Sequence, residues 1–208
     1  PGGFIEALIY MRKNSLDKYY GMTLLSDNNN IPSWKKSKLF LQKNSNIIIE
    51  EGQDKTGDLM KKENLLYCLN KYANSMEIIT GDGGFDFSVD FNKQEICSIN
   101  LIFAQICFAL AMQKKNGTFI LKMFDLFTYA SLDLLYILSL CYEKVYILKP
   151  NTSRFANSEK YIICKNFIKI SNKFVENIFD NFETIIKNDN NLISILNIKF
   201  PKLFLNKI

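Results

Sequence analysis

Three side chains in this sequence have the types and settings that proton chemistry asks for: Asp82, Lys122 and Glu159. Asp82 lies in Gly81-Asp82-Gly83-Gly84-Phe85-Asp86, a glycine turn that follows the apolar run Ile78-Ile79-Thr80. Glycine makes such a turn permissive, and ligands of open α/β sheets collect at the carboxyl ends of the strands. Lys122 closes the apolar run Phe119-Ile120-Leu121, and Glu159 stands in Asn157-Ser158-Glu159-Lys160-Tyr161. Singly, each has a plain alternative: a glycine turn is often only a turn, a strand-end lysine snorkels to solvent, and a loop glutamate is a surface charge. Together, two acids and a lysine at strand ends on one rim predict a site in which lysine handles a proton. Its reference pKa is near ~10.4, so such a base wants desolvation and a second cation to lower it, and carboxylates to orient it. Nothing within the chain fills the role of second cation convincingly.

Histidine is absent, which removes the usual general base and the commonest metal ligand. The five cysteines are odd in number, form no Cys-x-x-Cys pair and sit among apolar residues. That pattern predicts buried free thiols in a reducing compartment rather than a zinc site, and no metal is expected.

At 208 residues, 48% hydrophobic and 13% aromatic, the chain is long and apolar enough for one domain with one core. The apolar runs read as too short and too often broken by charge to span a bilayer, and no amino-terminal targeting segment is visible. A net charge of +5 mildly suits a polyanionic partner and equally suits ordinary solubility.

The elements that must position these side chains alternate. The glycine loop Pro1-Gly2-Gly3-Phe4 opens onto a helix over 4–12, and residues 18–24 read as a strand. A polar insertion over about 26–46 follows, with turn signals at Asp27-Asn28-Asn29-Asn30 and Ile31-Pro32 and a basic cluster, Lys35, Lys36 and Lys38, beside Trp34. A strand at 47–50 leads to a helix over 59–72 with Leu59, Leu65, Leu66, Leu69 and Tyr72 inward. A long helix over 92–115 faces inward with Ile96, Ile99, Phe103, Ile106, Leu110 and Ala111 and stops at Asn116-Gly117. Then come a strand at 118–123, a helix at 128–141, strands at 143–148 and 161–164, and a helix over 170–186. The tail, 189–208, is apolar and basic. The fold class is therefore α/β with a doubly wound, mainly parallel sheet. The short loop 149–158 favours an antiparallel pair of strands at one edge. A glycine loop of this kind normally follows a strand, so the reading expects the sheet's first strand upstream of Pro1, in a longer protein.

Four stretches carry a resemblance: Pro1-Gly2-Gly3-Phe4, Gly81 to Asp86, Phe119-Ile120-Leu121-Lys122-Met123-Phe124-Asp125, and Lys149-Pro150-Asn151-Thr152-Ser153-Arg154-Phe155-Ala156-Asn157-Ser158-Glu159-Lys160-Tyr161. In these, the chain resembles the FtsJ-type, S-adenosylmethionine-dependent RNA ribose 2′-O-methyltransferases, from Pro1 to about Phe167. Within them it looks most like the enzymes of the messenger RNA cap-1 branch, since the Gly-Asp-Gly-Gly-Phe form around the acid is unlike the ribosomal RNA branch.

The resemblance implies a Rossmann-like methyltransferase domain over 1–188, truncated at its amino terminus; the apolar and basic pattern of the tail, 189–208, is expected to dock it on the missing region or on a protein partner, and the sequence leaves both open. It places Asp82, Lys122 and Glu159 on the second, third and fourth members of a Lys-Asp-Lys-Glu tetrad, whose first lysine would lie upstream of Pro1. It implies S-adenosylmethionine as cofactor, with S-adenosylhomocysteine as product and no metal. Pro1, Gly2, Gly3, Phe4, Thr23, Leu24, Asp58, Leu59 and Asp82 would line its site, although Asp58 also suits a helix N-cap. RNA, with the capped messenger 5′ end foremost, would meet Lys149, Thr152, Ser153, Arg154, Asn157 and Ser158. Trp34 and its lysines would be either a stacking and charge surface or a solvated basic loop. Ribosomal or transfer RNA as substrate, or an inactive cofactor- or RNA-binding scaffold, are the competing expectations. The compartment implied is the nucleus, or the cytoplasm for a viral enzyme.

Overall fold

The computed structural model describes residues 1–26, 33–85, 93–154, 156–168, 172–188 and 193–206. Asp86, the turn signals of 27–32, and Phe155 lie outside the described residues. Helix α1 (Gly3–Arg12) starts from Gly2, whose φ of 103° belongs to the left-handed region that glycine enters freely. Strands β1 (Tyr19–Gly21) and β2 (Ile47–Ile49) pair in parallel, with a 3-10 turn (Trp34–Ser37) and α2 (Lys38–Lys43) between them. Then follow α3 (Lys62–Tyr72), β3 (Met76–Gly81), α4 (Gln94–Met112), β4 (Gln113–Met123), α5 (Tyr129–Cys141), β5 (Tyr142–Leu148) and β6 (Lys160–Phe167). Short helices α6 (Asn172–Asp180), α7 (Phe182–Ile186) and α8 (Lys202–Leu205) close the chain.

The described strands form two sheets, β1-β2 and β3-β4-β6-β5. β3 and β4 are parallel, while β6 runs against both β4 and β5. The antiparallel pair thus forms at the sheet edge, as the short 149–158 loop predicts, and the reversed strand lies inside β5. Along β4 the period of two is plain: Phe119, Leu121 and Met123 are buried, while Ile120 and Lys122 face the less covered side.

Helix α4 forms the centre of the core. Ile99, Ile102, Phe103, Ile106 and Leu110 are buried with Leu65 of α3, Leu134 and Leu138 of α5 and Phe182 of α7. By length and composition α4 is also apolar enough to cross a membrane, which corrects the expectation that no run reaches that mark; here most of it is buried in the protein. Its end differs from expectation too. Lys114 and Lys115 belong to β4, not to the helix, and residues 113–117 form a register break against Met76 and Ile78, with Asn116 in the left-handed region. Ile96 and Leu66, expected inward, are 44% and 41% exposed. The helix expected over 170–186 is two, divided at Asn181. All five cysteines are free, four buried and Cys97 half-buried.

Candidate active site

The parallel register of β3 and β4 sets Gly81 beside Leu121, so the next step brings Asp82 beside Lys122. The antiparallel register of β4 and β6 sets Lys122 beside Tyr161. Asp82, Lys122 and Tyr161 therefore form one row across three strands, on the face away from Leu121. The contacts follow. Lys122 Nζ lies 3.1 Å from Asp82 Oδ1 and donates to the Asp82 carbonyl at 3.0 Å. The Tyr161 hydroxyl donates to the same Oδ1 at 3.2 Å.

Glu159 directly precedes β6 and joins the cluster through the Tyr161 phenol. Burial first, and then the charges and hydrogen bonds of Asp82 and Glu159, push the Tyr161 phenol well above its ordinary value. It stays protonated, a donor between two acids. The structure thus brings Asp82 and Lys122 into direct contact and couples Glu159 to them through Tyr161.

Gln105 of α4, 6% exposed, holds the turn that carries Asp82. Its Oε1 accepts the Gly83 N–H at 2.8 Å, and its Nε2 donates to the Leu101 carbonyl at 3.2 Å. A Cβ on Gly81 or Gly83 would stand 3.0 or 2.9 Å from that Oε1, so both glycines make room for the amide. Sequence reasoning missed Tyr161 and Gln105. A polar residue inside the apolar stripe of α4 was the available signal for Gln105.

The glycine loop reaches this rim through Phe4, whose ring lies 6.1 Å from that of Tyr161. A Cβ at Gly3 would meet nothing within 4 Å, so the loop is open there. At Gly2 the space is taken. Trp34 is buried over Gly2 and Gly21, with its Nε1 unpartnered among the described residues, so its ring presents no stacking face to a nucleobase. Lys35, Lys36 and Lys38 beside it are exposed. Pro1 is fixed by its carbonyl, which accepts from Ser37 Oγ at 2.7 Å.

Thr23 and Leu24 lie against the loop before α3. The Leu25 N–H donates to the Thr56 carbonyl at 2.7 Å, and Gly57, with φ of 66°, packs on the Thr23 carbonyl where a Cβ has no room. Asp58 and Leu59 follow directly. Asp58 Oδ1 accepts the Met60 N–H at 2.8 Å, closing a turn; α3 starts only at Lys62, so Asp58 is not its N-cap. The residues expected to line a cofactor site thus fall into two groups, one at Pro1–Phe4 bridged by Trp34 to the end of β1, the other at Thr23–Leu24 and Asp58.

In the loop 149–159, Lys149 turns inward. Its ammonium donates to the Asn157 and Glu159 carbonyls at 2.6 and 2.9 Å and to Asn157 Oδ1, which also accepts from Ser153 Oγ at 3.1 Å. Ser158 Oγ donates to Gln94 Oε1 at 3.0 Å. Lys149, Ser153, Asn157 and Ser158, expected at RNA, build the loop; Thr152 and Arg154 are its exposed members.

Helices flanking a mixed sheet, with a glycine loop and strand ends meeting at a lysine held by a carboxylate, define a Rossmann-like α/β protein. A putatively named ribosomal RNA methyltransferase structure from Plasmodium falciparum shares the fold, with a TM-score of 0.52 at 21% identity, covering 80% of this chain and 81% of that one. Residues 1–167 match the FtsJ-like methyltransferase family, and the chain belongs to it. Among its relatives are the cap-specific mRNA (nucleoside-2′-O-)-methyltransferases 1 of Mus musculus and Homo sapiens, each 37% identical over 174 residues. That of Danio rerio is 38% identical over 174 residues. The alignments cover 79% of this chain and 20% of each relative, so the chain spans about a fifth of the length of the curated relatives it matches.

Proposed function

We propose that this protein methylates the ribose 2′-hydroxyl of RNA, at the first transcribed nucleotide of capped messenger RNA, with S-adenosylmethionine as donor. The observation that carries the reading is the contact of Lys122 Nζ with Asp82 Oδ1 at 3.1 Å on a rim shared with the glycine loop. Family membership supports the methyl donor, and the names of the relatives support the substrate.

The residues present fit that donor. Gly3 leaves open space beside the first turn of α1, where backbone N–H groups favour a carboxylate. Asp58, whose Oδ1 is engaged by the Met60 N–H, adds a half-buried carboxylate as an acceptor. When bound, S-adenosylmethionine supplies a methyl group on a sulfonium, a good leaving group. The chain's share is alignment and proton handling. In its neutral amine form Lys122 would hold the 2′-hydroxyl and receive its proton on Nζ. Asp82 fixes the Lys122 amine, and Glu159 acts on the pair through Tyr161.

The test is methyl transfer to short RNAs, capped and uncapped, by the parent protein and by Lys122→Ala. Loss of at least ~100-fold in rate is expected for the variant, the scale of general acid–base catalysis, with donor affinity nearly intact. Equal loss of both would reject Lys122 as the proton-handling group. Transfer indifferent to the cap would point to ribosomal or transfer RNA, and no transfer to any RNA to a binding scaffold.

A further inference from the structure

Beyond the reacting groups, the loop from β4 to α5 and the first residue of α5 set two aromatic rings in solvent. Phe127 is 86% exposed and Tyr129 is 66% exposed. The loop that carries them is tightly fastened. Phe124 is buried in the core, and the Asp125 carboxylate pairs with the Lys160 ammonium at 2.9 Å. The Thr128 N–H and hydroxyl both donate to Glu95 Oε1 at 2.8 Å, and Thr128 Oγ1 caps α5 by accepting the Ser131 N–H at 3.2 Å. Phe127 lies between these anchors. A fixed loop thus holds outside two rings that burial would favour inside.

Their position narrows what they meet. Phe127 is the fifth residue after Lys122, which bounds the Cα separation at roughly 18 Å. The loop stands on the rim where β3 and β4 end and β6 begins, and its anchor Lys160 follows Glu159 directly. Exposed Arg154 lies on the neighbouring loop. Exposed aromatic faces and a cation carried on loops of one rim fit unpaired nucleobases and their phosphates.

We infer that Phe127 and Tyr129 form a stacking platform for unpaired bases of the RNA strand whose ribose enters at Lys122. The inference rests on the RNA reading above and adds which side chains hold the strand. Stacking is tolerant of sequence, because every base offers a π-face.

Short RNA carrying 2-aminopurine near its 5′ end, titrated with the protein, reports stacking by quenching of the base, independently of catalysis. Phe127→Leu with Tyr129→Ser should weaken RNA binding by about 10-fold or more and abolish the quench. Donor affinity and the thermal midpoint should stay as in the parent, since both side chains are exposed. Phe127→Trp should restore binding. Phe127→Leu alone retaining full RNA affinity would overturn the inference in favour of an apolar protein contact, for which leucine suffices. RNA affinity within about twofold of the parent in the double variant would overturn it outright. A protein that transfers no methyl group, yet loses RNA binding with these substitutions, would sink the enzymatic reading and leave the platform standing.

Discussion

Gly84 passes so close to Lys122 that a Cβ there would stand 3.3 Å from Nζ and 3.7 Å from Cε. Such crowding against the free end of a flexible side chain is relieved by moving that end. Gly84→Ala should therefore cost less than about 1 kcal/mol of stability while moving Lys122 Nζ by a few tenths of an ångström. An ångström of misplacement at a reacting group costs up to ~100-fold, so if Lys122 handles the proton, methyl transfer should fall by roughly two- to tenfold with the thermal midpoint nearly unchanged. A variant as fast as its parent would mean that this placement of Lys122 is not the one used. At this scale the meeting of Asp82 and Lys122 was legible because a glycine turn and strand ends are local signals. Tyr161 was not, because its role depends on the β4–β6 register, which sequence spacing does not reveal. The inward turn of Lys149 was hidden for a related reason: the carbonyls that capture its ammonium are set by how the loop closes.

Elements with strong periodicity were legible, and their ends were not. α4 was readable from its apolar spacing, but its last turn was assigned to residues that instead begin β4 and bulge between its pairings with Met76 and Ile78; strand pairing overrode the local signal of Asn116-Gly117. The split of α6 from α7 at Asn181 also escaped, because the apolar spacing runs through both. Between elements, the link of β2 to α3 carries a pH dependence. Glu50, 7% exposed and just after β2, accepts from Lys71 Nζ at 2.8 Å, from the Tyr72 hydroxyl and from the Gly52 N–H at 3.0 Å. Burial raises its pKa, but these hydrogen bonds outweigh burial and hold it below the ordinary carboxylate value. Burial and Glu50 in turn push the Tyr72 phenol up to about 12. Between the depressed folded value and the unfolded value of ~4.3, the unfolded chain binds more protons, so stability rises with pH across that window. The contribution is complete above it and is lost as pH falls through the folded value. Chemical denaturation of Glu50→Gln should show a loss of roughly 1–3 kcal/mol at neutral pH and a shallower decline than the parent's on acidification. Parallel acid declines in parent and variant would contradict the assignment.

For the whole molecule, alternation of strands and helices made the α/β class legible, while the division of the described strands into two sheets is a fact of tertiary pairing. The carboxy-terminal segment was least legible, since nothing in its apolar and basic pattern names a docking site. It lies on α5. Asp133, 1% exposed, receives Ser194 Oγ at 2.7 Å and the Ile195 and Leu196 N–H groups at 2.6 and 3.1 Å, all on Oδ2. One helical turn on, Tyr136 packs edge-on against Phe200 and Phe204 at 5.6 and 4.9 Å. A buried carboxylate facing three donors is a fastening point: its removal strands those donors and frees the aromatic contact that follows. Asp133→Ala should cost about 2–4 kcal/mol, because hydrogen bonds to a charged acceptor are the stronger kind. At this chain length that lowers the thermal midpoint by roughly 5–15 °C. Trypsin distinguishes release of the segment from general loosening, since Lys199 and Lys202 lie within it. Cleavage there should precede cleavage elsewhere in Asp133→Ala, and Tyr136→Ala should give the same order from the aromatic side. Asp133→Asn keeps one carbonyl acceptor and should fall between variant and parent. Unchanged cleavage at Lys199 and Lys202 in both alanine variants would show that the segment is held by something other than α5.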